Sequence, residues 1–215
     1  MPRLAVRLRA VTVLLGRFPA LARVDFDAFE GEVVFVRGPN GSGKTTLLRL
    51  IAGLVEAFDG SVQVFGRDPR SEARAIRREV SFLSHATLLY EDLTARENLA
   101  FFARTSGFAL EAGLAWAERL GLGTRELDTR LRALSAGQRK KVSAALAFAR
   151  ETELVLVDEP HALLDGDTKA ALDRGLLALA SEGKTVIVAS HELDRAATIA
   201  TRRYAMTSGS LRLES

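Results

Sequence analysis

The stretch Val33-Val34-Phe35-Val36-Arg37-Gly38-Pro39-Asn40-Gly41-Ser42-Gly43-Lys44-Thr45-Thr46 decides how this chain is read. Its first four residues form an apolar run of the kind that makes a buried strand, and Thr45 to Ala52 reads as a helix. Between them, Gly38 to Thr45 fits the phosphate-binding pattern G-x-x-x-x-G-K-[ST] in full. Three glycines within six residues let the backbone wrap tightly, so that successive N–H groups point inward at an anion. Lys44 then reaches the outer phosphates of a nucleoside triphosphate, and Thr45 offers its hydroxyl to Mg²⁺. The helix beginning near Lys44 adds its positive end to the same spot. With every fixed position present in a strand–loop–helix frame, the stretch is a nucleotide triphosphate site and not an ordinary glycine-rich turn.

Composition sets outer bounds. The 215 residues, 47% of them hydrophobic, suffice for one good core or for one core with a modest subdomain. A formal net charge of +3 is too mild to argue for a nucleic-acid partner. The chain has no cysteine, which excludes disulfides and thiolate metal sites. Its histidines, His85, His161 and His191, lack metal-ligand spacing. No apolar run approaches the roughly 18–20 residues that cross a bilayer. The start alternates arginine with apolar residues and is not a signal-peptide core, so a cytoplasmic chain, or one held at a membrane by another subunit, is expected.

Outward from the glycine-rich loop, the chain falls into strands and helices. Leu4 to Val13 alternates, with Leu4, Val6, Leu8 and Ala10 on one side, as a half-exposed strand does. Leu21 to Phe29 alternates again, and Val62 to Phe65 makes a further short strand. Arg67 to Glu79, with five arginines, reads as a solvated helix or loop. After the core strand Val80 to Leu83 the character turns helical, with Thr94 and Glu97 in capping-box spacing. Ala136 to Arg150 is a helix, Leu154 to Val157 a buried strand, Thr168 to Ala180 a helix and Thr185 to Ala189 another buried strand. Apolar strands alternating with helices indicate a largely parallel sheet. The tail, Tyr204 to Leu213 around Ser208-Gly209, suggests a hairpin. The expected fold is α/β, with residues 1–86 and 136–215 forming a nucleotide-binding core and residues 87–135 an inserted helical subdomain.

Two strand ends carry the remaining chemistry. Asp158 closes an aliphatic strand, where a carboxylate is delivered to the ligand crevice and can hold Mg²⁺ directly or through water. Glu159 is adjacent but projects differently, and the task left for it is to orient or deprotonate the attacking water. Ser190-His191 ends the next strand of the same sheet, so His191 could bond the γ-phosphate or that water. His161 has no such placement and reads as loop surface.

These residues together resemble the ATP-binding-cassette (ABC) ATPases. Leu134-Ser135-Ala136-Gly137-Gln138 is similar to the signature motif of that family, with Ala136 where glycine is commonest. Leu154 to Pro160 resembles its second acidic motif, Leu164-Asp165 its D-loop, and His191 its switch histidine. The resemblance runs in order from Leu4 to Leu213. It implies a P-loop core of ABC type, with an antiparallel β subdomain and an inserted helical subdomain, that hydrolyses ATP with Mg²⁺. It further implies a head-to-tail dimer with a second ATP-binding subunit, an identical chain, in which Ser135, Gly137 and Gln138 of one copy cover the ATP held by Lys44 of the other. Transmembrane transporter subunits are the implied partners, which would place the chain peripherally on the cytoplasmic face of a bacterial membrane. Within the family, His85 to Leu99 resembles the ATP-binding subunit of the haem exporter of cytochrome c maturation. A soluble, non-transport ABC ATPase and another small exporter are the alternatives.

Two positions depart from the family pattern. The aromatic that commonly stacks on adenine is replaced by Leu15, which leaves the base to Phe18 or to weak apolar contact. The glutamine of the family's Q-loop is replaced by Ala86, which leaves its place to His85, to water, or to another residue of a differently aligned loop. Leu88, Leu89 and Tyr90, beside it, are expected to form a small exposed apolar patch.

Overall fold

A computed structural model describes residues 3–86, 88–161, 164–191 and 200–214. The chain divides into two compact units: Met1–Phe82 with Thr152–Glu159 and Ala180–Ser215, and Leu83–Glu151 with Pro160–Leu179.

In the first unit, β1 (Leu4–Leu15), β2 (Phe18–Phe29) and β4 (Asp59–Val64) form an antiparallel sheet in the order β2-β1-β4. The alternation expected along β1 holds only from Val6 to Leu8: Ala5 is buried beside Val6 while Leu4 is half-buried, and beyond Leu8 it breaks again. Ala10 takes φ of 49°, Asp25 accepts its N–H at 2.8 Å, and the register shifts, so that Val11 and Val13 point into the core in place of Ala10. One extra residue in a strand reverses every later side chain.

The second sheet of this unit has the order β5-β6-β7-β3-β8-β9, with β3 (Val33–Arg37), β5 (Val80–Leu83), β6 (Leu154–Asp158), β7 (Thr185–Ser190), β8 (Arg202–Thr207) and β9 (Ser210–Glu214). Strands β6, β7, β3 and β8 run parallel, and β8 turns back on β9 through Ser208-Gly209, the expected hairpin. Strands β6 and β7 are buried along their whole length, as unbroken aliphatic runs require. Helix α1 (Lys44–Ile51) packs on β6 and β7, and α2 (Pro69–Glu79), capped by Asp68, carries the arginines. Both sheets and α1 share one apolar core. Phe26, Leu8, Leu47, Leu48 and Ile51 lie at 1% exposure or less there, and each such side chain stabilises the fold by about 1.5–3 kcal/mol. The Tyr204 hydroxyl ties β8 to β2, donating to the Asp27 carbonyl at 2.9 Å while its ring lies 4.8 Å from that of Phe26.

The second unit is helical: α3 (Ala95–Ser106), α4 (Leu110–Arg119), α5 (Thr124–Leu127), α6 (Ala136–Phe148) and α7 (Gly166–Ser181). The Thr94–Glu97 capping box is present in both directions at the start of α3. Residues 136–151 and 160–179 lie in this unit and not with the core, which differs from the division expected between residues 135 and 136. The reason is packing. Helix α6 buries Val142, Ala145 and Phe148, and Trp116 of α4 meets Phe148 edge-on at 5.2 Å. Among the described residues, no helix is long and apolar enough to cross a membrane.

Candidate active site

The glycine-rich loop leaves β3 and enters α1 as expected, and it is wedged between β8 and β2. A Cβ on Gly38 would lie 2.3 Å from the Met206 carbonyl oxygen, and one on Gly43 2.5 Å from that of Ala20. Gly43 also has φ of 111°, a left-handed conformation suited to glycine. The Gly209 N–H donates to the Ser42 carbonyl at 2.9 Å, so the hairpin turn braces the loop from outside. Gly41 completes the wrap with φ of 77°, while Pro39 and Asn40 form its outer turn and Thr46 is buried on α1.

Lys44 is 5% exposed, and its ammonium donates to the carbonyls of Gly38 at 2.7 Å and Pro39 at 3.1 Å. It also lies 3.1 Å from Oε1 of Glu159. Thr45 donates its hydroxyl to Oδ2 of Asp158 at 2.9 Å, so the two residues expected at the metal are already joined. The Ser42 hydroxyl is buried without a hydrogen-bond partner. A buried polar atom of that kind is costly unless something satisfies it, and in a loop of this phosphate-binding pattern an anion's oxygen does so. The donor set therefore fits a Mg²⁺-bound triphosphate: amides and an ammonium for the anion, a hydroxyl and a carboxylate for the cation.

Glu159 leaves the line of β6 because its φ is 46°, an unusual conformation for a non-glycine residue and one that collects at functional sites. Its amide donates to the Ala189 carbonyl of β7 at 2.8 Å, which fixes the turn. Its Oε2 lies 2.9 Å from Nδ1 of His191, so the acid and the histidine expected at neighbouring strand ends do meet. Burial alone would raise the Glu159 carboxyl, but hydrogen bonds and charge from Lys44 and His191 outweigh it and hold it below the ordinary glutamate range. A carboxylate with a depressed folded-state pKa stabilises the protein above its unfolded pKa and loses that contribution as pH falls through the folded value. The stability difference between wild type and Glu159→Gln should therefore be full at neutral pH and close only below pH 4.5. Denaturant titrations of both proteins at several pH values measure this; a difference that does not change with pH would show that the pairing contributes nothing.

In the helical unit, Ser135 caps α6. Its hydroxyl oxygen accepts the Gln138 N–H at 3.1 Å, and Gln138 returns a bond to the Ser135 N–H at 2.9 Å. Ser135 and Ala136 are exposed, Leu134 is buried, and the Ser135 hydroxyl keeps its proton to donate outward. Asp165 caps α7, accepting from the Thr168 amide at 2.8 Å and from the Thr168 hydroxyl at 3.0 Å; these two bonds hold its carboxyl below the usual range.

Three residues of this unit escaped the sequence reading. His161, expected on a loop surface, is 5% exposed and faces Asp173 of α7. Asn98 is fully buried; its amide accepts from the Tyr90 N–H at 2.9 Å and donates to the carbonyls of Tyr90 and Thr94, moulding the loop before α3. Lys140, buried on α6, donates to the Ser84 carbonyl at 3.0 Å, while the Ser84 hydroxyl donates to the Ala86 carbonyl at 2.6 Å. His85 and Ala86 are both exposed, and residue 87 lies outside the described residues. Leu88 at 79% and Tyr90 at 51% are exposed, Leu89 is half-buried, and the Tyr90 ring rests on Phe101 at 4.9 Å and Phe102 at 6.1 Å. Phe18 is 79% exposed and Leu15 55%.

A parallel sheet that presents a phosphate loop, an acidic pair and a histidine at its strand ends defines a P-loop nucleoside triphosphatase. The ABC transporter family matches residues 21–162. This chain belongs to that family and is an ATP-hydrolysing cassette with the ABC-type core and helical subdomain. The ATP-binding cassette sub-family A member 7 of Mus musculus is 34% identical over 197 residues, which are 90% of this chain and 9% of the relative. A sulfate/thiosulfate import ATP-binding protein of Rhizobium meliloti (strain 1021) is 34% identical over 214 residues, 96% of this chain and 58% of the relative. The chain thus spans less than two thirds of the length of these curated relatives. Among solved structures, a dimeric bacterial ABC transporter cassette is similar with a TM-score of 0.88 at 28% identity, covering 98% of both chains. A dimeric post-hydrolysis cassette bound to ADP and Pi gives 0.88 at 29% identity, again covering 98% of both.

Proposed function

We propose that this chain is the ATPase subunit of a membrane ABC transporter, in which two copies close head to tail over ATP and reopen after hydrolysis. The observation that carries it is the joined set Lys44–Glu159–His191 beside Thr45–Asp158. In this reading Gly38 to Thr46 cradle the triphosphate, and Thr45 and Asp158 hold Mg²⁺, which neutralises charge on the phosphate oxygens. Glu159 orients the attacking water and accepts its proton, while His191 holds the Glu159 carboxylate and steadies the γ-phosphate end. Ser135, Gly137 and Gln138 of the second copy present the N-terminus of α6 and the Ser135 hydroxyl to the same γ-phosphate. Phe18, exposed at the start of β2, is free to stack on the base. The dimeric state of the two structural relatives supports the pairing.

The exposed apolar patch of Leu88, Tyr90 and Phe101 supports a membrane partner docked on the helical unit. The transported substrate would be set by that partner. The names of the curated relatives point to sulfate or thiosulfate import and to sub-family A, and none of them singles out haem. The haem-export reading rests chiefly on residues 85–99, so the broader assignment, the ATPase of a membrane transporter, is the better supported.

The test is MgATP hydrolysis by the purified chain, with Lys44→Ala as the inactive control, followed by stimulation with the membrane subunit in proteoliposomes. Tyr90→Glu should keep basal hydrolysis and lose at least about tenfold of the partner's stimulation, as expected for an aromatic at the centre of an interface. Full stimulation of Tyr90→Glu would remove the patch from the interface.

A further inference from the structure

His161 is buried yet takes no part in the chemistry assigned above. It follows Pro160 where the chain leaves β6, and it is 5% exposed. An imidazole is costly to bury unless its ring nitrogens are matched. Nε2 of His161 lies 2.6 Å from Oδ1 of Asp173 on α7. At that distance the two groups form an ion-pair contact whose geometry is not that of a hydrogen bond. The two side chains are only 6% and 21% exposed, so water screens the contact far less than it screens a surface pair.

The start of α7 is held as well. Asp165 caps α7 through the Thr168 amide and hydroxyl, and Thr168 is 3% exposed. The signature segment rests on this cap: a Cβ on Gly137 would lie 2.8 Å from the Thr168 hydroxyl oxygen and 3.2 Å from Oδ2 of Asp165. Helix α7 thus contacts both His161 and Asp165 and supports the N-terminus of α6 through Gly137.

We infer that His161 is a positioning residue: through Asp173 it anchors α7 and thereby sets where Asp165 and the start of α6 meet the second copy of the chain. This rests on the reading of the chain as a head-to-tail ATPase dimer. The contacts it arranges exist only in the closed dimer, so His161 governs closure and turnover and not the binding of nucleotide to the open chain.

Three variants test this. His161→Phe keeps the ring volume without a nitrogen, His161→Gln keeps an N–H, and Asp173→Asn removes the charge while keeping the shape. The measurements are MgADP affinity by calorimetry, kcat and KM for MgATP, and ATP-dependent dimerisation in a Glu159→Gln background. His161→Phe and Asp173→Asn should each lower kcat and weaken dimerisation about tenfold, the effect of one shielded polar contact. MgADP affinity should not change, and His161→Gln should restore most of the loss. Wild-type kcat and dimerisation in His161→Phe overturn the inference, as does a parallel loss of MgADP affinity in all three variants, which marks a plain core contact. If His161→Phe does not fold, Asp173→Asn decides alone by the same readings. A wild-type chain that neither hydrolyses MgATP nor dimerises overturns the ATPase reading as well, whereas an active wild type with indifferent variants overturns only the role of His161.

Discussion

Glu159→Gln is expected to lower turnover by at least about a hundredfold, the range of a lost general base, while leaving ATP affinity equal to or above that of wild type. The affinity follows from the geometry around Lys44. The Lys44 ammonium is shared between two loop carbonyls and the Glu159 carboxylate 3.1 Å away. A triphosphate must draw the ammonium from that carboxylate, and the amide of glutamine competes less strongly for it. Glutamine keeps the size of the side chain and can still bond His191, so the turn at residue 159 survives. Binding without hydrolysis then holds the closed state, and size-exclusion chromatography with MgATP should show a dimer where the nucleotide-free protein is a monomer. Hydrolysis by Glu159→Gln at the wild-type rate would remove Glu159 from the reaction. A loss of ATP binding would assign it to the cradle instead.

How much of this was legible in the sequence depended on how local each cause was. The phosphate loop, the strand ends at Asp158 and Ser190, the Thr94–Glu97 box and the hairpin at Ser208-Gly209 are each specified within a few residues, and each stands where expected. The meeting of Glu159 with His191 could also be anticipated, because neighbouring parallel strands deliver their C-terminal residues to one edge. The break in β1 was not legible: it depends on Asp25, a residue of the partner strand, taking the Ala10 amide. His161 was misplaced for a similar reason, since the residue it faces, Asp173, stands twelve positions further on, on α7. Asn98 left a signal that could have been read. A polar residue beside Leu99 on the buried side of α3 must be satisfied by something, and the nearest unpaired backbone groups are those of the loop before the helix. The assignment of α6 to the helical unit was hidden because its apolar residues run nearly all round, so its pattern does not say which neighbours it buries against.

Ser135→Arg is expected to abolish nearly all turnover while leaving nucleotide binding by the single chain intact. Ser135 sits in the second unit, exposed at the start of α6, where its hydroxyl oxygen closes the helix on Gln138. Losing the cap costs about 1 kcal/mol of helix stability, too little to unfold a unit whose core holds Trp116, Phe148 and Val142. The larger consequence lies at the surface the helix presents. There an arginine replaces a small donor with a long side chain, and the N-terminal amides that should face a γ-phosphate are covered. Loss of one such preorganised donor set lowers turnover by about a hundredfold or more. Ser135→Ala separates the two effects, since it removes the cap and the hydroxyl without adding bulk and should fall between wild type and Ser135→Arg. Mixing decides whether the site is shared. If each signature serves the other copy, pairing a Lys44→Ala chain with a Ser135→Arg chain creates one doubly defective site and one site with both Lys44 and Ser135 intact. Turnover should then appear in the mixture although neither variant has it alone. Were each chain to use its own Ser135, both sites of the mixed dimer would carry a lesion and the mixture would stay inactive.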